Sequence, residues 1–355
     1  MCKKILILIL TLFATLSCQR KPLYLRGDIA VRINTEVRAD INTIWSPTWR
    51  DSLRYAWDEE KLGPIGYTLP KDGSVVLFNG GNIVKEEGLT IGKRKTIDIE
   101  ANRIYDLLIY SKEIFWIDTY YEGGRYFIEA PSEDSPTTTN EVSKKYETVA
   151  QPGEVFSTNK KEYFIPDDIS LLEEAIIDGK YVYIFNIDEI LRPVSNIYII
   201  QFIVINDDGS EIIEAKDITN FSISGISSKK NLFNNEPVYT GNKQISVFDI
   251  KPAQTRKDSL LFASRITILD LLPNNQDTSW SSEIEYLYYS NVDIDTHNYG
   301  KVTGTKDITK QLKENPKGGV ITIRILNSEL KQGGETGSGF GIDLTEWQEH
   351  LYNVE

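Results

Sequence analysis

The sequence is poor in the residues that form covalent cross-links and most catalytic centres. Its 355 residues include two cysteines, Cys2 and Cys18, two histidines and a single methionine, Met1. Both cysteines lie at the N-terminal end, so a disulfide framework or a cysteine-ligated metal site is excluded for the body of the chain. Its stability must therefore come from buried apolar surface, for which the chain is long enough.

Basic charge is also scarce. The sequence has 39 lysines and arginines against 52 acidic residues, a net charge of −13, and its longest basic cluster is Lys93-Arg94-Lys95. Such a field repels polyanions, so we expect no nucleic-acid partner.

Catalytic motifs are missing as well. The sequence has no HExxH motif, no GxSxG elbow and no phosphate loop of the required spacing. Asp293, Asp295 and His297 alternate, which would place three possible metal ligands on one face of a strand. A polar strand end or loop between Asn291 and Gly300 is the favoured explanation of these residues, because no further ligand motif supports a metal. We therefore predict a non-enzymatic protein without catalytic residues, metal or cofactor.

The first seventeen residues have the pattern of an export signal. Lys3 and Lys4 precede an apolar run from Ile5 to Leu16, and Ser17 precedes Cys18. As a helix this run spans about 18 Å, which is short of the ~30 Å core of a bilayer. We therefore expect the segment to be removed, which would change the net charge from −13 to −15 because two lysines are lost.

The residues around Cys18 resemble the lipobox of bacterial lipoproteins, Ala14-Thr15-Leu16-Ser17-Cys18. The resemblance implies that the Cys18 thiol takes a diacylglycerol and becomes an N-terminus carrying fatty acyl chains such as palmitate. Two or three chains hold a protein lastingly on a membrane. The alternative is ordinary secretory cleavage that leaves Cys18 a free thiol. We expect a lipid-anchored outer-membrane protein displayed on the cell surface, although residues 19–22 do not decide between the periplasmic and the surface face.

Short runs of β-branched and aromatic residues, separated by Gly- and Asp-containing turns, predict an all-β fold. The run Ile197–Ile205 is apolar on both faces and predicts a central strand that is covered on each side. Two short helices are predicted, over Ser170–Ile177 and Asp307–Lys313. We predict two consecutive β-sandwich domains with these limits: signal peptide 1–17, lipidated tether 18–27, N-terminal sandwich 28–135, linker 136–150 and C-terminal sandwich 151–355.

Four segments carry a resemblance to a known family. They are WRDSLRYAWDEEKLGPIGYTLP (Trp49–Pro70), NRIYDLLIY (Asn102–Tyr110), ILRP (Ile190–Pro193) and GFGIDLTEW (Gly339–Trp347). They resemble uncharacterised lipoproteins of Bacteroidota-type bacteria that are grouped with fimbrillin-like and fimbrial-anchor proteins. The resemblance implies two β-sandwich domains of transthyretin-like topology, an N-terminal lipid and association with fimbriae, but no catalytic residue and no defined ligand.

From these observations we expect a cell-surface lipoprotein that anchors or forms part of a fimbria-like adhesive assembly. Its partners would be the membrane, through the lipid, and fimbrial subunits that pair with an exposed strand edge. The alternative is a glycan-binding surface lipoprotein that serves nutrient capture and binds host or bacterial glycans.

Two sets of residues are candidate sites. Trp49, Tyr55 and Trp57 are either a structural clamp inside a long insertion or an exposed platform for sugar rings or a partner subunit. Ser52 and Ser259 each lie in an Asp-Ser-Leu triplet. Such triplets resemble the O-glycosylation acceptor of exported proteins in some Gram-negative anaerobes.

Overall fold

The computed structural model describes residues 30–39, 49, 52–111, 117–133, 146–177, 180–207, 218–248, 250–255, 259–272, 283–293 and 298–328. Strands dominate this part of the chain, which confirms the all-β prediction. No helix within the described ranges is long and apolar enough to cross a membrane.

The strands are numbered in chain order. They are β1 Ala30–Ala39, β2 Asp72–Asn79, β3 Asn82–Thr90, β4 Lys95–Glu100, β5 Arg103–Ser111, β6 Asp118–Glu122, β7 Arg125–Glu129, β8 Glu147–Thr148, β9 Phe156–Ser157, β10 Lys161–Ile165, β11 Glu173–Ile177, β12 Lys180–Pro193, β13 Asn196–Ile205, β14 Ile218–Ser227, β15 Lys229–Asn231, β16 Glu236–Val238, β17 Lys243–Phe248, β18 Lys251–Thr255, β19 Ser259–Ile268, β20 Asp270–Leu271, β21 Glu283–Asp293, β22 Asn298–Asp307 and β23 Gly319–Leu326. The helices are α1 Glu59–Leu62 and α2 Thr309–Glu314, and a single 3-10 turn covers Ile169–Leu171.

The two helix predictions have different outcomes. The helix predicted over Asp307–Lys313 is confirmed as α2. The helix predicted over Ser170–Ile177 is wrong, because only the 3-10 turn forms and β11 follows it. Strand β11 pairs antiparallel with β12, and this ladder satisfies backbone groups that a helix would have to satisfy locally.

The chain folds as two compact units, each built from three stretches of sequence. The smaller unit comprises Met1–Thr35, Lys95–Ile104 and Tyr163–Ile187. Four of its described strands lie in the order β11-β12-β1-β4, and β1 pairs antiparallel with β4. Val31 and Ile33 of β1 and Ile97 of β4 are almost fully buried, so they form the apolar face of this sheet.

The larger unit comprises Glu36–Arg94, Tyr105–Glu162 and Asp188–Glu355. One of its sheets has the strand order β18-β19-β13-β23, and a second has the order β22-β21-β14-β17-β8. A third sheet has the order β16-β15-β7-β6. In a fourth set the order is β3-β2-β5-β9, and β9 pairs with the C-terminal part of β12. The domain limits 28–135, 136–150 and 151–355 stay a prediction.

The sheets of the larger unit share one apolar core. Phe202 of β13 packs edge-on against Phe221 of β14, with 5.4 Å between ring centroids. Side chains from the other two sheets, such as Phe78 of β2 and Ile128 of β7, belong to the same cluster. Two β-sheets that face each other across a shared core form a sandwich.

Strand β13 is the centre of this architecture. It pairs antiparallel with β19 and parallel with β23, so both of its edges are occupied. Every residue from Asn196 to Val204 is buried. The prediction of a central strand covered on each face is therefore confirmed.

Candidate functional site

The candidate site begins on the outer face of β13. Tyr198, Ile200, Phe202 and Val204 point into the core, and Ile197, Ile199, Gln201 and Ile203 alternate with them. This second row is buried as well, so another part of the chain must cover it. The cover includes the segment from Ser52 to Tyr67, hereafter the covering segment.

Gln201 joins the covering segment to the sheet. Its side-chain amide donates to Thr322 Oγ1 of β23 at 2.6 Å and to the Ser52 carbonyl at 3.3 Å. Its side-chain carbonyl accepts the Arg54 backbone N–H at 3.4 Å. The buried amide thereby has partners for its donors and its acceptor, which buried polar groups require. No motif in the sequence singles out Gln201 as a site residue, although it is the one amide in an otherwise apolar and aromatic run.

The far end of the covering segment is held by a hydroxyl and a guanidinium. The Tyr67 hydroxyl donates to the Ser195 carbonyl at 2.8 Å, and Arg265 donates to the Gly66 carbonyl at 3.0 Å. Arg265 also pairs with Glu154. Ser195 directly precedes β13, and Arg265 lies in β19. Together with the Gln201 contacts, these bonds fix both ends of the covering segment to the sheet.

Between these ends the segment makes its own structure. The Asp58 carboxylate accepts the backbone N–H groups of Glu60 and Lys61, which caps α1. Gly63 ends α1 with φ +79°, a conformation that favours glycine. The Trp57 indole N–H donates to the Gly63 carbonyl at 2.9 Å and ties the ring to the end of the helix.

The three aromatic residues of the predicted site differ in how deeply they are buried. Trp49 is buried, whereas Tyr55 and Trp57 are half-buried. The rings of Tyr55 and Trp57 stack with centroids 6.3 Å apart and an angle of 29° between their planes. Burial raises the pKa of the Tyr55 hydroxyl well above its ordinary value. The structure therefore brings Tyr55 and Trp57 together and buries Trp49; the ligand platform itself stays a prediction.

Of the other predicted site residues, the structure describes Ser52, Ser259 and Asp293. Ser52 is exposed at the start of the covering segment, and Ser259 is half-buried at the start of β19. Cys18, Asp295 and His297 lie outside the described residues, and Asp293 ends β21. Within the described ranges no three His, Cys, Asp or Glu side chains lie close enough to share a metal ion.

Two edge strands of the larger unit differ in how they are protected. At the edge strand β23, the side-chain amide of Gln311 in α2 accepts the Thr322 N–H at 2.8 Å and donates to the Thr322 carbonyl at 3.0 Å. This amide thus takes the place of a neighbouring strand. At the edge strand β3, the only described neighbour is β2, and Ile83 and Val84 are exposed.

Comparison with known proteins gives structural neighbours only. No protein-family model matches the chain, and no curated protein matches it. Among solved structures, a protein of Bacteroides ovatus described as an adhesin has 13% identity and a TM-score of 0.45, with 87% of this chain and 96% of that chain covered. The fimbrial anchor protein Mfa2 of Porphyromonas gingivalis has 8% identity and a TM-score of 0.43, with 84% and 90% covered.

A third neighbour is a Bacteroides thetaiotaomicron structure described as polysaccharide-binding. It has 8% identity and a TM-score of 0.42, with 83% of this chain and 91% of that chain covered. These three structural neighbours have 8–13% sequence identity to this chain.

Proposed function

We propose that the chain is a non-enzymatic lipoprotein of the cell surface that anchors or forms part of a fimbria-like adhesive assembly. In this proposal the lipid on Cys18 holds the molecule on the outer membrane. The packed sheets around β13 form a rigid body, and a strand edge joins it to a fimbrial subunit. The support comes from the signal sequence, the all-β architecture and the state of the strand edges.

The exposed edge of β3 carries the proposal. Strand β3 is nine residues long and is held in register by β2, from Asp72 opposite Thr90 to Asn79 opposite Asn82. Ile83 and Val84 are 37% and 51% exposed. An edge strand offers main-chain donors and acceptors to an extended segment of another chain, and exposed apolar side chains add contact area. By contrast, Gln311 occupies the groups of Thr322 at the edge of β23.

A charged residue on the β3 edge tests this directly. Lysine on an edge strand opposes the addition of another strand. We therefore expect Val84→Lys, expressed in a strain that lacks the native gene, to reduce fimbrial length, fimbrial retention or cell adhesion. Electron microscopy and an adhesion assay measure the three quantities.

The matched control is Leu69→Lys, which places the same charge at a residue that is 53% exposed and outside β3. The control should leave fimbriae and adhesion unchanged at an equal amount of protein on the cells. Unchanged fimbrial length, retention and adhesion after deletion of the gene itself would refute the proposal.

Glycan binding is the second candidate function, and the half-buried stack of Tyr55 and Trp57 favours it. Paired rings can bind the apolar faces of sugars. A glycan array with the native chain and Trp57→Ala tests this candidate. Sugar binding that is lost in the variant supports it, and an array without binding rejects it. Trp57→Phe keeps a ring but removes the hydrogen bond to Gly63, so it separates stacking from local folding.

A further inference from the structure

A short stretch of the smaller unit exposes an unusual share of large apolar side chains. Ten such side chains are exposed in the described part of the chain, and four of them lie between residues 164 and 176. They are Phe164 (54% exposed), Ile169 (42%), Leu171 (69%) and Ile176 (64%), which together define the 164–176 surface. Single exposed apolar residues are common, whereas four within thirteen consecutive residues are a local concentration, which we take as a candidate interaction surface.

The middle of the 164–176 surface is ordered by hydrogen bonds. The Asp168 carboxylate accepts the Ser170 backbone N–H at 2.9 Å and the Ser170 hydroxyl at 2.7 Å. The Leu171 N–H then donates to the Asp168 carbonyl at 3.1 Å. Ile169 and Leu171 are therefore presented by a fixed turn. A fixed loop loses less conformational entropy on binding than a flexible one, so this turn is suited to docking.

Charge narrows the choice of partner. Asp167, Asp168, Glu173 and Glu174 lie among the four apolar residues, and no lysine or arginine occurs between residues 164 and 177. The acidic charges oppose contact with an anionic bilayer. They also oppose a second copy of this chain, whose net charge is −13. A partner surface with an apolar centre and basic residues around it would complement the exposed apolar side chains and the acidic charge of the 164–176 surface.

We propose that the 164–176 surface docks a protein partner that presents apolar side chains bordered by lysine or arginine. The apolar residues supply the buried contact, and the acidic residues steer the partner and fix its orientation. The proposal does not depend on the fimbrial function, because it uses a surface of the smaller unit and not the β3 edge.

Photo-cross-linking followed by affinity measurement tests the proposal. A photoreactive amino acid is placed at position 171 of the lipidated full chain in its own cell envelope, and the cross-linked peptide is sequenced. The purified partner is then titrated with the native chain and with the Ile169→Ser/Leu171→Ser double variant. We expect the adduct on an apolar segment rich in lysine or arginine. We also expect at least about tenfold weaker binding by the variant, since truncation of central apolar residues has effects of this size.

Two controls make the result decisive. Leu69→Ser truncates an apolar residue of similar exposure outside this surface and should bind like the native chain. Raising the salt concentration should slow association if the acidic residues steer the partner. An adduct found only with lipid or with a second copy of the chain would overturn the proposal. So would a yield of adduct at position 171 that is no higher than the yield when the photoreactive amino acid is placed at position 69. Equal affinity of the double variant, shown to be folded by its unchanged thermal transition, would also overturn it. A normal fimbrial phenotype would not affect this measurement.

Discussion

Gly318 lies directly before β23, where the chain passes close to the first residues of β13. Its φ is +100°, and a Cβ atom there would lie 2.4 Å from the Ile197 carbonyl oxygen. Backbone cannot move away as a flexible side chain can. The parallel pairing of β13 with β23 therefore depends on a residue without a side chain.

We predict that Gly318→Ala lowers the free energy of unfolding by about 3 kcal/mol or more, the upper end for backbone strain, because a steric clash is added. Gly241→Ala is the matched control, since Gly241 also has a positive φ of +87° but no atom within 4 Å of its Cβ position. In the Gly241→Ala control the free energy of unfolding should fall by only about 1 kcal/mol. Chemical denaturation measures both, and equal losses would show that the contact with Ile197 has no effect.

Lys230 is a buried cation with a full set of partners. It is 1% exposed, and its ammonium lies 2.8 Å from the Asp270 carboxylate. It also donates to the backbone carbonyls of Val194 at 2.5 Å and Leu269 at 3.3 Å. Burial lowers the pKa of Lys230 despite the attraction of Asp270. The ion pair therefore connects β15 with β20 at a cost in desolvation.

We expect Lys230→Met to destabilise the protein by about 3–5 kcal/mol, because the buried Asp270 carboxylate loses its nearest cation. The double variant Lys230→Met/Asp270→Leu should recover much of this loss, since no buried charge remains. Arg38→Met removes a 75% exposed member of an ion pair with Glu36 and should change stability by less than about 1 kcal/mol. A Lys230→Met protein as stable as the native one would contradict the account of this pair.

The edge of β23 depends on helix α2. Gln311 in α2 bonds both backbone groups of Thr322, which would otherwise be open to another chain. The side chain therefore acts as a local substitute for a neighbouring strand.

We predict that Gln311→Ala increases self-association and lowers stability by about 1 kcal/mol, the usual net value of a hydrogen bond. Sedimentation velocity over a concentration series measures the association. Lys310→Ala, which changes an exposed residue of the same helix, should remain like the native chain. If Gln311→Ala behaved in the same way as this control, the amide would not protect the edge.

The positions of strands were predictable from the sequence where the pattern of apolar residues reflects burial. The neighbours with which these strands pair were not predictable. The run Ile197–Ile205 indicates a central strand because both of its faces are apolar. Its neighbours, β19 and β23, come from much later in the chain, and no local pattern encodes that pairing. Around Ser170 the local pattern favours a helix, but pairing of β11 with β12 outweighs it, and Asp168, not Ser170, is the cap.

The candidate site was predictable in composition but not in geometry. The aromatic residues Trp49, Tyr55 and Trp57 stand out in the sequence, but how deeply each is buried depends on the sheet beneath them. Gln201 and Arg265 lie far from the covering segment in sequence and contact it only in the folded chain. Side chains that act through such long-range contacts have no local sequence signal.

The molecule as a whole combines acidic charge with a predicted basic and lipidated N-terminal end. The basic charge at this end comes from Arg20 and Lys21, which lie within three positions of Cys18. In the proposed function the lipid and not the protein surface provides attachment, because the processed chain, with a net charge of −15 after the loss of Lys3 and Lys4, is repelled by anionic lipids. The attachment should therefore withstand high salt and should depend on Cys18 alone.

The most direct test of the proposed function is the retention of fimbriae on cells that produce Cys18→Ser. A strain lacking the native gene is complemented with either the native chain or this variant, and cell-bound and shed fimbriae are measured at equal levels of exported protein. We predict that the native chain keeps fimbriae on the cells, whereas the variant releases itself and the fimbriae into the medium. Equal retention of fimbriae in the two strains would contradict the proposed anchoring function.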